Sequence, residues 1–273
     1  MMSVSEVRGG LAPGTVVAGV LRVWTDARRV ERVAYAVGGL LLLSGVFHLG
    51  VFAVDGGPWE GPVSWRKAVT FGLSFGLTLI TIAWVASYVP LRDRTRGIVL
   101  GVFTADCVAE VALITTQAWR RVPSHFNMET PLDTTISRLL AVGGGILIAT
   151  LVTLAIASFR ENPEVAPSMR LAVRVGFVAL MLALASGAAM IARGVMEVQT
   201  GHQQLAYHVA GALKPAHAVT MHAILVLPAL AWALALTGLP ETRRTRVVAI
   251  ASWAYAAAAG VVIAVSVVNF ATA

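Results

Sequence analysis

The chain has 273 residues, of which 57% are hydrophobic and only 13% are charged. A soluble domain carries about 25% charged residues, so this composition excludes a water-soluble globular protein. The formal net charge of +7 does not indicate nucleic acid as a partner, because almost all basic residues lie in short segments between apolar runs, as in membrane proteins.

Seven apolar runs, each about 20 residues long, predict membrane-spanning helices. Only helices or closed barrels satisfy every backbone group in lipid, and runs of this length predict helices. The sequence therefore predicts an all-α polytopic membrane protein, a seven-transmembrane-helix bundle over residues 34–273 that follows a cytoplasmic N-terminal segment, residues 1–33. The predicted spans cover residues 34–54, 68–89, 97–119, 139–159, 171–192, 215–237 and 246–270.

The basic residues predict the orientation of the bundle. Of the 21 Lys and Arg residues, 14 lie on the side that carries the N-terminus and 7 on the other. The side richer in Lys and Arg faces the cytoplasm. We therefore expect the N-terminus inside and the C-terminus outside, in the cytoplasmic membrane of a bacterium, with membrane lipid as a partner.

All six histidines lie in the predicted outer part of the chain: His48, His125, His202, His208, His217 and His222. The positions of His48 and His222 in their spans place both about 10 Å below the outer interface. Two imidazoles at matching depth are typical of haem b in membrane bundles. We predict His48 and His222 as primary ligands of haem b or of a copper or zinc ion, with His125 and His217 as further candidates. The alternative is that each histidine forms a hydrogen bond between helices.

The segment QAWRRVPSHFN, residues 117–127, follows the third span and is unusually polar. Its arginines lie on the side where basic residues are scarce, so orientation alone does not explain them. Arginine binds carboxylates in a bidentate manner. We therefore predict that Arg66, Arg120 and Arg121 bind an anionic group of the cofactor, such as the haem propionates. His125 would turn back toward the same outer mouth.

The third span carries a polar stripe. Asp106, Glu110 and Gln117 fall within about 40° of one another at 100° per residue. A charged carboxylate at the bilayer centre costs about 2.5–3.5 kcal/mol on insertion scales, so this stripe should face the bundle interior or a wet cavity. We predict that Asp106 and Glu110 handle protons. The alternative is a hydrogen-bond network that only joins helices.

A second chemistry is compatible with some of these residues. Ser44-x-x-x-His48, Asp106 and His217 with His222 loosely resemble the zinc-binding pattern of the alkaline ceramidase and adiponectin-receptor superfamily, which implies a membrane-embedded zinc hydrolase. The pattern departs from that family, because His217 and His222 are five residues apart, about 140° around a helix, and the elements fall on different spans.

Three further stretches carry a resemblance. GPVSWRKAVTFGLSFG, RRVPSHFN and AHAVTMHAILVLPALAW are similar to segments of uncharacterised seven-span proteins of high-GC bacteria. The resemblance covers about a third of the chain. It implies the seven-span fold and supplies no residue roles, because that family carries no established function.

The leading functional prediction is a haem or metal site near the outer face that serves membrane redox chemistry. A proton-coupled transporter, a channel, or a sensor of pH or ligand that uses the same residues without a cofactor is the alternative. A small-molecule or quinone-like ligand is compatible with both. The sequence leaves open whether the protein is an enzyme and which oligomeric state it adopts.

Overall fold

Residues 13–209 and 211–272 are described by a computed structural model, and they form nine helices joined by short loops. Seven of these helices are long and apolar enough to cross a membrane. The prediction of an all-α, seven-helix membrane protein is therefore confirmed. The helices are α1 Pro13–Thr25, α2 Arg29–Asp55, α3 Trp65–Ala86, α4 Asp93–Trp119, α5 Pro131–Ser158, α6 Pro167–Gln199, α7 Gln203–Val209, α8 Lys214–Ala235 and α9 Glu241–Thr272.

Several helices extend beyond the apolar runs that predicted them. The fourth span was expected from residue 139, but α5 begins at Pro131. Thr130 caps it, since its side-chain oxygen accepts a hydrogen bond from the backbone N–H of Asp133 at 3.2 Å, and Pro131 suits the first turn. Capping residues are polar, so a hydropathy window does not detect the turn that they start.

The segment before the first span is partly helical. Helix α1 packs against the far end of α8, where a Cβ on Gly19 would lie 2.7 Å from the Trp232 ring. The first spanning helix begins at Arg29, inside the predicted N-terminal segment 1–33. Residues 1–12 lie outside the described part of the chain. The end of the bundle where α2 begins is called the inner end below and the opposite end the outer end, following the predicted orientation, which stays a prediction.

The bundle consists of two groups of helices, α2–α5 and α6–α9. Within the first group α2 and α3 pack most closely, and a Cβ on Gly72 would lie only 2.7 Å from the Gly45 Cα. Within the second group α6 and α8 form the main contact. The two groups meet chiefly along α5 with α6 and along α3 with α8. The outward surface is apolar, with Leu43, Ile156 and Trp253 among its exposed side chains, as lipid contact requires.

A buried ion pair joins α2 and α4 at the inner end. Glu31 is 1% exposed and Arg96 is 3% exposed, and their side chains approach to 3.7 Å. Arg96 also donates hydrogen bonds to the carbonyls of Ala86 and Val89 at the end of α3. The backbone N–H of Arg28 donates to Glu31 at 2.7 Å. Both charges of this pair thus have partners, although Arg96 Nε forms no hydrogen bond with the described residues.

Candidate functional site

The loop between α4 and α5, residues 120–130, closes the outer end of the bundle. Two of its arginines form ion pairs with different helices. Arg120 Nη1 lies 2.5 Å from Asp133 Oδ1 of α5, and Arg121 Nη2 lies 2.5 Å from Asp55 Oδ2 of α2. The anionic partners of these arginines are therefore carboxylates of the chain itself.

The same holds for the third predicted cofactor-binding arginine. Arg66, in the first turn of α3, lies 3.2 Å from the exposed carboxylate of Glu60. A haem propionate at Arg66, Arg120 or Arg121 would have to share the arginine with Glu60, Asp133 or Asp55, or displace it. The assignment of these arginines to a cofactor stays a prediction.

Asp133 is the centre of the outer network, although the sequence analysis did not single it out. It is 1% exposed and accepts hydrogen bonds from Gln117 Nε2 at 2.9 Å and from Thr130 Oγ1 at 2.5 Å, in addition to Arg120. A signal was present in the sequence, because Thr130-Pro131-x-Asp133 is a helix N-terminus pattern that places a carboxylate in the first turn.

Further contacts anchor the loop across the bundle. Phe126 lies against α6 where Gly194 leaves room, since a Cβ there would overlap the edge of the Phe126 ring. Asn127 is fully buried, and its backbone N–H donates to Ser137 Oγ of α5 at 3.2 Å. Arg121 and Phe126 both adopt a left-handed backbone conformation, which non-glycine residues rarely do. The loop is thus an ordered seal that ties α2, α3, α5 and α6 together.

His48 sits beneath this seal in an aromatic cluster. It is 4% exposed, and its Nδ1–H donates to the Ser44 carbonyl at 2.7 Å. Its Nε2 accepts a hydrogen bond from Trp119 Nε1 at 3.1 Å. Both ring nitrogens therefore have partners within the protein. A metal at Nε2 would have to displace Trp119.

The cluster continues from Trp119 to the outer ion pair. The Trp65 and Trp119 ring centroids are 5.0 Å apart, and Trp65 Nε1 donates to Asp55 Oδ2 at 2.5 Å. The Arg121 guanidinium lies 4.9 Å from the centroid of the Trp65 ring. His48, Trp119, Trp65, Asp55 and Arg121 thus form one continuous network between α2, α3 and α4.

His222 lies on the other side of α3. It is exposed and lines a cleft between α3 and α8 together with Ser74 and Thr78. Trp65, which packs beside His48, is about 180° from Ser74 around α3 at 100° per residue. Helix α3 thus separates His48 from His222, so the structure does not bring the two predicted haem ligands together. The depth of a residue in the membrane can be predicted from its position in a span. The neighbouring helix that its side chain faces cannot be predicted in this way.

The other two candidate ligands are also apart. His217 donates from Nδ1 to the Ala183 carbonyl of α6 at 2.8 Å, which is the packing role weighed as the alternative. His125 is half-buried in the α4–α5 loop, with its Nδ1 2.9 Å from Ser124 Oγ and its ring 6.0 Å from that of Phe71. Burial, and then the charge of Lys67, lower the pKa of His125 from 6.5 to about 3.

Within residues 13–209 and 211–272, no group of three or more His, Cys, Asp or Glu side chains is arranged to hold a metal ion. The side chain of His208 lies outside the described side chains. The predicted haem b, copper or zinc centre, and the zinc-hydrolase alternative, stay predictions.

The carboxylates of Asp106 and Glu110 lie in the middle of α4 and face the bundle interior, as the stripe predicted, where they lie against α5. They are 7% and 5% exposed. They meet α5 at Gly143, where a Cβ would overlap Glu110 Oε1 and lie 3.0 Å from Asp106 Oδ1. The absent side chain of Gly143 therefore provides the space that the two carboxylates occupy.

Neither carboxylate has a partner among the described residues. No hydrogen bond or ion pair is formed by Asp106 or Glu110, and Asp106 Oδ2 is fully enclosed without a donor. Gln117, the third residue of the stripe, does join helices, because its Nε2 donates to Asp133 of α5 at 2.9 Å. The proton-handling role of Asp106 and Glu110 stays a prediction.

An apolar layer separates the two carboxylates from the outer network. Ile114 of α4 and Ile136 and Leu140 of α5 form a small buried cluster of their own, supported by Phe71 and Leu113. Toward the inner end, Cys107 and Phe103 belong to the main core of the bundle. The carboxylate pair is thus enclosed between two apolar regions.

Comparison of the whole chain with models of protein families, with curated proteins and with solved structures finds no match.

Proposed function

We propose that this integral membrane protein is proton-coupled, as a transporter or a sensor, and that Asp106 and Glu110 together are its proton-binding group. The observation that carries the proposal is the enclosed Asp106 Oδ2 atom without a partner, next to a second carboxylate in the middle of a spanning helix.

Burying an ionised group inside a membrane is costly. An ionised carboxylate in an apolar environment needs a cation or several hydrogen-bond donors, and otherwise takes up a proton. Two carboxylates one helical turn apart also repel each other when both are ionised. Because the described part of the chain supplies no cation to this pair, protonation is the simplest way to neutralise it.

The surroundings suit a gated group. The Ile114–Ile136–Leu140 layer keeps water from the outer end away from the pair. On the opposite wall, Gly143, Gly144 and Gly145 follow one another in α5, and Cβ atoms at Gly144 and Gly145 would meet nothing within 4 Å. Gly144 and Gly145 therefore point away from the carboxylates, and it is Gly143 that gives the pair its space against α5.

The proton-binding step is tested by infrared spectroscopy of the purified protein in lipid nanodiscs. We expect a carbonyl band of protonated carboxyl groups at neutral pH that weakens on titration to alkaline pH, and that is reduced in Asp106→Asn and Glu110→Gln. Glu164→Gln, which changes an exposed carboxylate at the inner end, is the matched control and should leave the band unchanged. A band that neither core variant alters would contradict the proposal.

Coupling is tested in liposomes that contain the protein and an internal pH-sensitive dye. An imposed pH difference should cause proton movement in a transporter that is lost in both core variants and kept in Glu164→Gln. A sensor should show the infrared titration without proton movement. Absence of the titration and of proton movement in the unaltered protein would rule out both forms of the proposal.

A further inference from the structure

A cleft on the lipid-facing surface between α3 and α8 contains four polar side chains that each have a hydrogen-bonding atom without a partner. The hydroxyls of Ser74, Thr78 and Thr81 on α3 form no hydrogen bond within the described chain. His222 on α8 donates from Nδ1 to the Ala218 carbonyl at 2.6 Å, which leaves the lone pair of Nε2 without a donor there. All four residues line the same cleft.

The cleft lies deep in the membrane. Ser74 is nine residues after the first residue of α3, and His222 is eight residues after the first residue of α8. At 1.5 Å per residue both are about 12–14 Å below the outer ends of their helices, near the middle of helices of about 33 Å. Water and lipid headgroups are scarce at that depth, so polar groups that face lipid there are costly unless another molecule binds them.

The cleft is small and partly open to the surface. The space within it that is available to the centre of a water-sized molecule is about 30 Å³, and about 10–15 Å³ is the least that holds one water molecule. A single hydroxyl group fits there, while the rest of its molecule lies in the open groove against Leu77, Met221 and Leu225.

The polar side chains of the cleft also determine which functional group of a ligand can bind there. Nε2 of His222 requires a donor, whereas the hydroxyls of Ser74 and Thr78 can donate to an oxygen. A hydroxyl is both donor and acceptor, so it satisfies both kinds of group at once. A carbonyl oxygen accepts only and would leave Nε2 unsatisfied.

We infer that the α3–α8 cleft binds the hydroxyl end of a membrane-soluble molecule, with a hydroquinone or an alcohol on an apolar tail as its chemical class. The site shares no lining residue with the carboxylate pair and does not depend on the proposed proton coupling. It is distinct from the predicted haem site, because it uses His222 without His48.

The test compares two probes that differ only in their donors. Decyl-substituted benzohydroquinone donates hydrogen bonds, and the corresponding decyl benzoquinone only accepts them. Binding is measured calorimetrically on the protein in nanodiscs of neutral lipid, above the partitioning into protein-free nanodiscs. We expect saturable binding of the hydroquinone at least about tenfold tighter than that of the quinone, the effect of one buried hydrogen bond to an otherwise unsatisfied group.

Variants locate the site. His222→Leu and Thr78→Val should each weaken hydroquinone binding by about threefold to tenfold. His202→Leu, which removes an exposed histidine at the outer end, is the matched control and should bind normally. Thr78→Val preserves side-chain shape, so a folding defect in His222→Leu would still leave a usable variant.

Three outcomes would overturn the inference. Absence of saturable binding means that the cleft holds water only. If the cleft variants bind the hydroquinone as tightly as the unaltered protein does, the hydroquinone binds elsewhere. Concentration-dependent dimerisation that His222→Leu abolishes shows that a second copy of the chain covers the cleft. None of these outcomes affects the infrared titration of Asp106 and Glu110, so failure here is distinguishable from failure of the proposed function.

Discussion

The ends of the bundle and its centre treat buried carboxylates in opposite ways. At the ends, Glu31 and Asp133 are each 1% exposed, and each has an arginine and further hydrogen-bond donors. At the centre, Asp106 and Glu110 are almost as deeply buried and have no partner in the described chain. Matched charges hold helices together, whereas unmatched ones weaken the fold and persist where they serve a function. The comparison therefore separates structural carboxylates from a candidate working group.

The largest expected effect is at the inner end. Glu31→Gln should lower the free energy of unfolding by about 3 kcal/mol, because it leaves the guanidinium of Arg96 buried without a counter-charge. Reversible denaturation in mixed micelles measures the change. Glu164→Gln, at an exposed carboxylate, should stay within about 0.5 kcal/mol of the unaltered protein. A change below 1 kcal/mol at Glu31 would break the comparison, because the end and the centre would then behave alike.

The next largest effect on stability is expected where the space beside Asp106 and Glu110 is filled. Gly143→Ala should destabilise by about 2 kcal/mol, since its Cβ would overlap Glu110 Oε1. Gly144→Ala changes the neighbouring residue, whose Cβ would meet nothing within 4 Å, and should be neutral or slightly stabilising. Equal effects of the two substitutions would show that the carboxylates do not occupy the place opposite Gly143.

Substitution of a central carboxylate should change the free energy of unfolding in the opposite direction to substitution of Glu31. Asp106→Leu should leave the free energy of unfolding unchanged or raise it by about 1 kcal/mol, because an apolar side chain removes an unsatisfied polar atom. The same denaturation measurement applies, and any proton movement that the unaltered protein shows in liposomes should be lost. A loss of stability as large as that of Glu31→Gln would show that Asp106 has a structural partner.

The smallest effect is a pH dependence at the outer seal. The pKa of His125 is lowered to about 3 in the folded protein, from 6.5. Below pH 6.5 the unfolded chain therefore binds a proton that the folded chain does not, and stability falls as the pH decreases toward 3. At pH 6 the loss should be less than about 1 kcal/mol. His125→Phe should flatten stability between pH 7 and pH 6, and an unchanged slope would exclude His125 as its source.

Hydropathy and helical periodicity predicted the features that a single helix determines by itself. The seven spans and the inward direction of Asp106 and Glu110 follow from the pattern of a single segment, and the structure confirms both. The depth of His48 and His222 was also accessible in this way. That α3 lies between these two histidines was not, because the rotation of a helix against its neighbours is set by packing between segments.

The arginine partners illustrate the same limit. Arg121 pairs with Asp55, which lies 66 residues earlier in the chain, and no local pattern connects the two. Arg120 pairs with Asp133, only 13 residues away, which the start of α5 already places near the outer interface. In the structure both arginines contact carboxylates of the protein, and their assignment to a cofactor stays a prediction.

The contact between Phe126 and Gly194 has a consequence for how the protein is assembled during synthesis. Helices α2 and α3 are neighbours in the chain and touch through their backbones, so they can pair as soon as both have entered the membrane. The α4–α5 loop is different, because the place that receives Phe126 is on α6 and is synthesised later. The ion pairs of the loop with α2 and α5 can therefore form before its contact with α6. Truncation of the chain before Gly194 should increase the reactivity of a cysteine substituted for Ser124 toward a membrane-impermeant reagent.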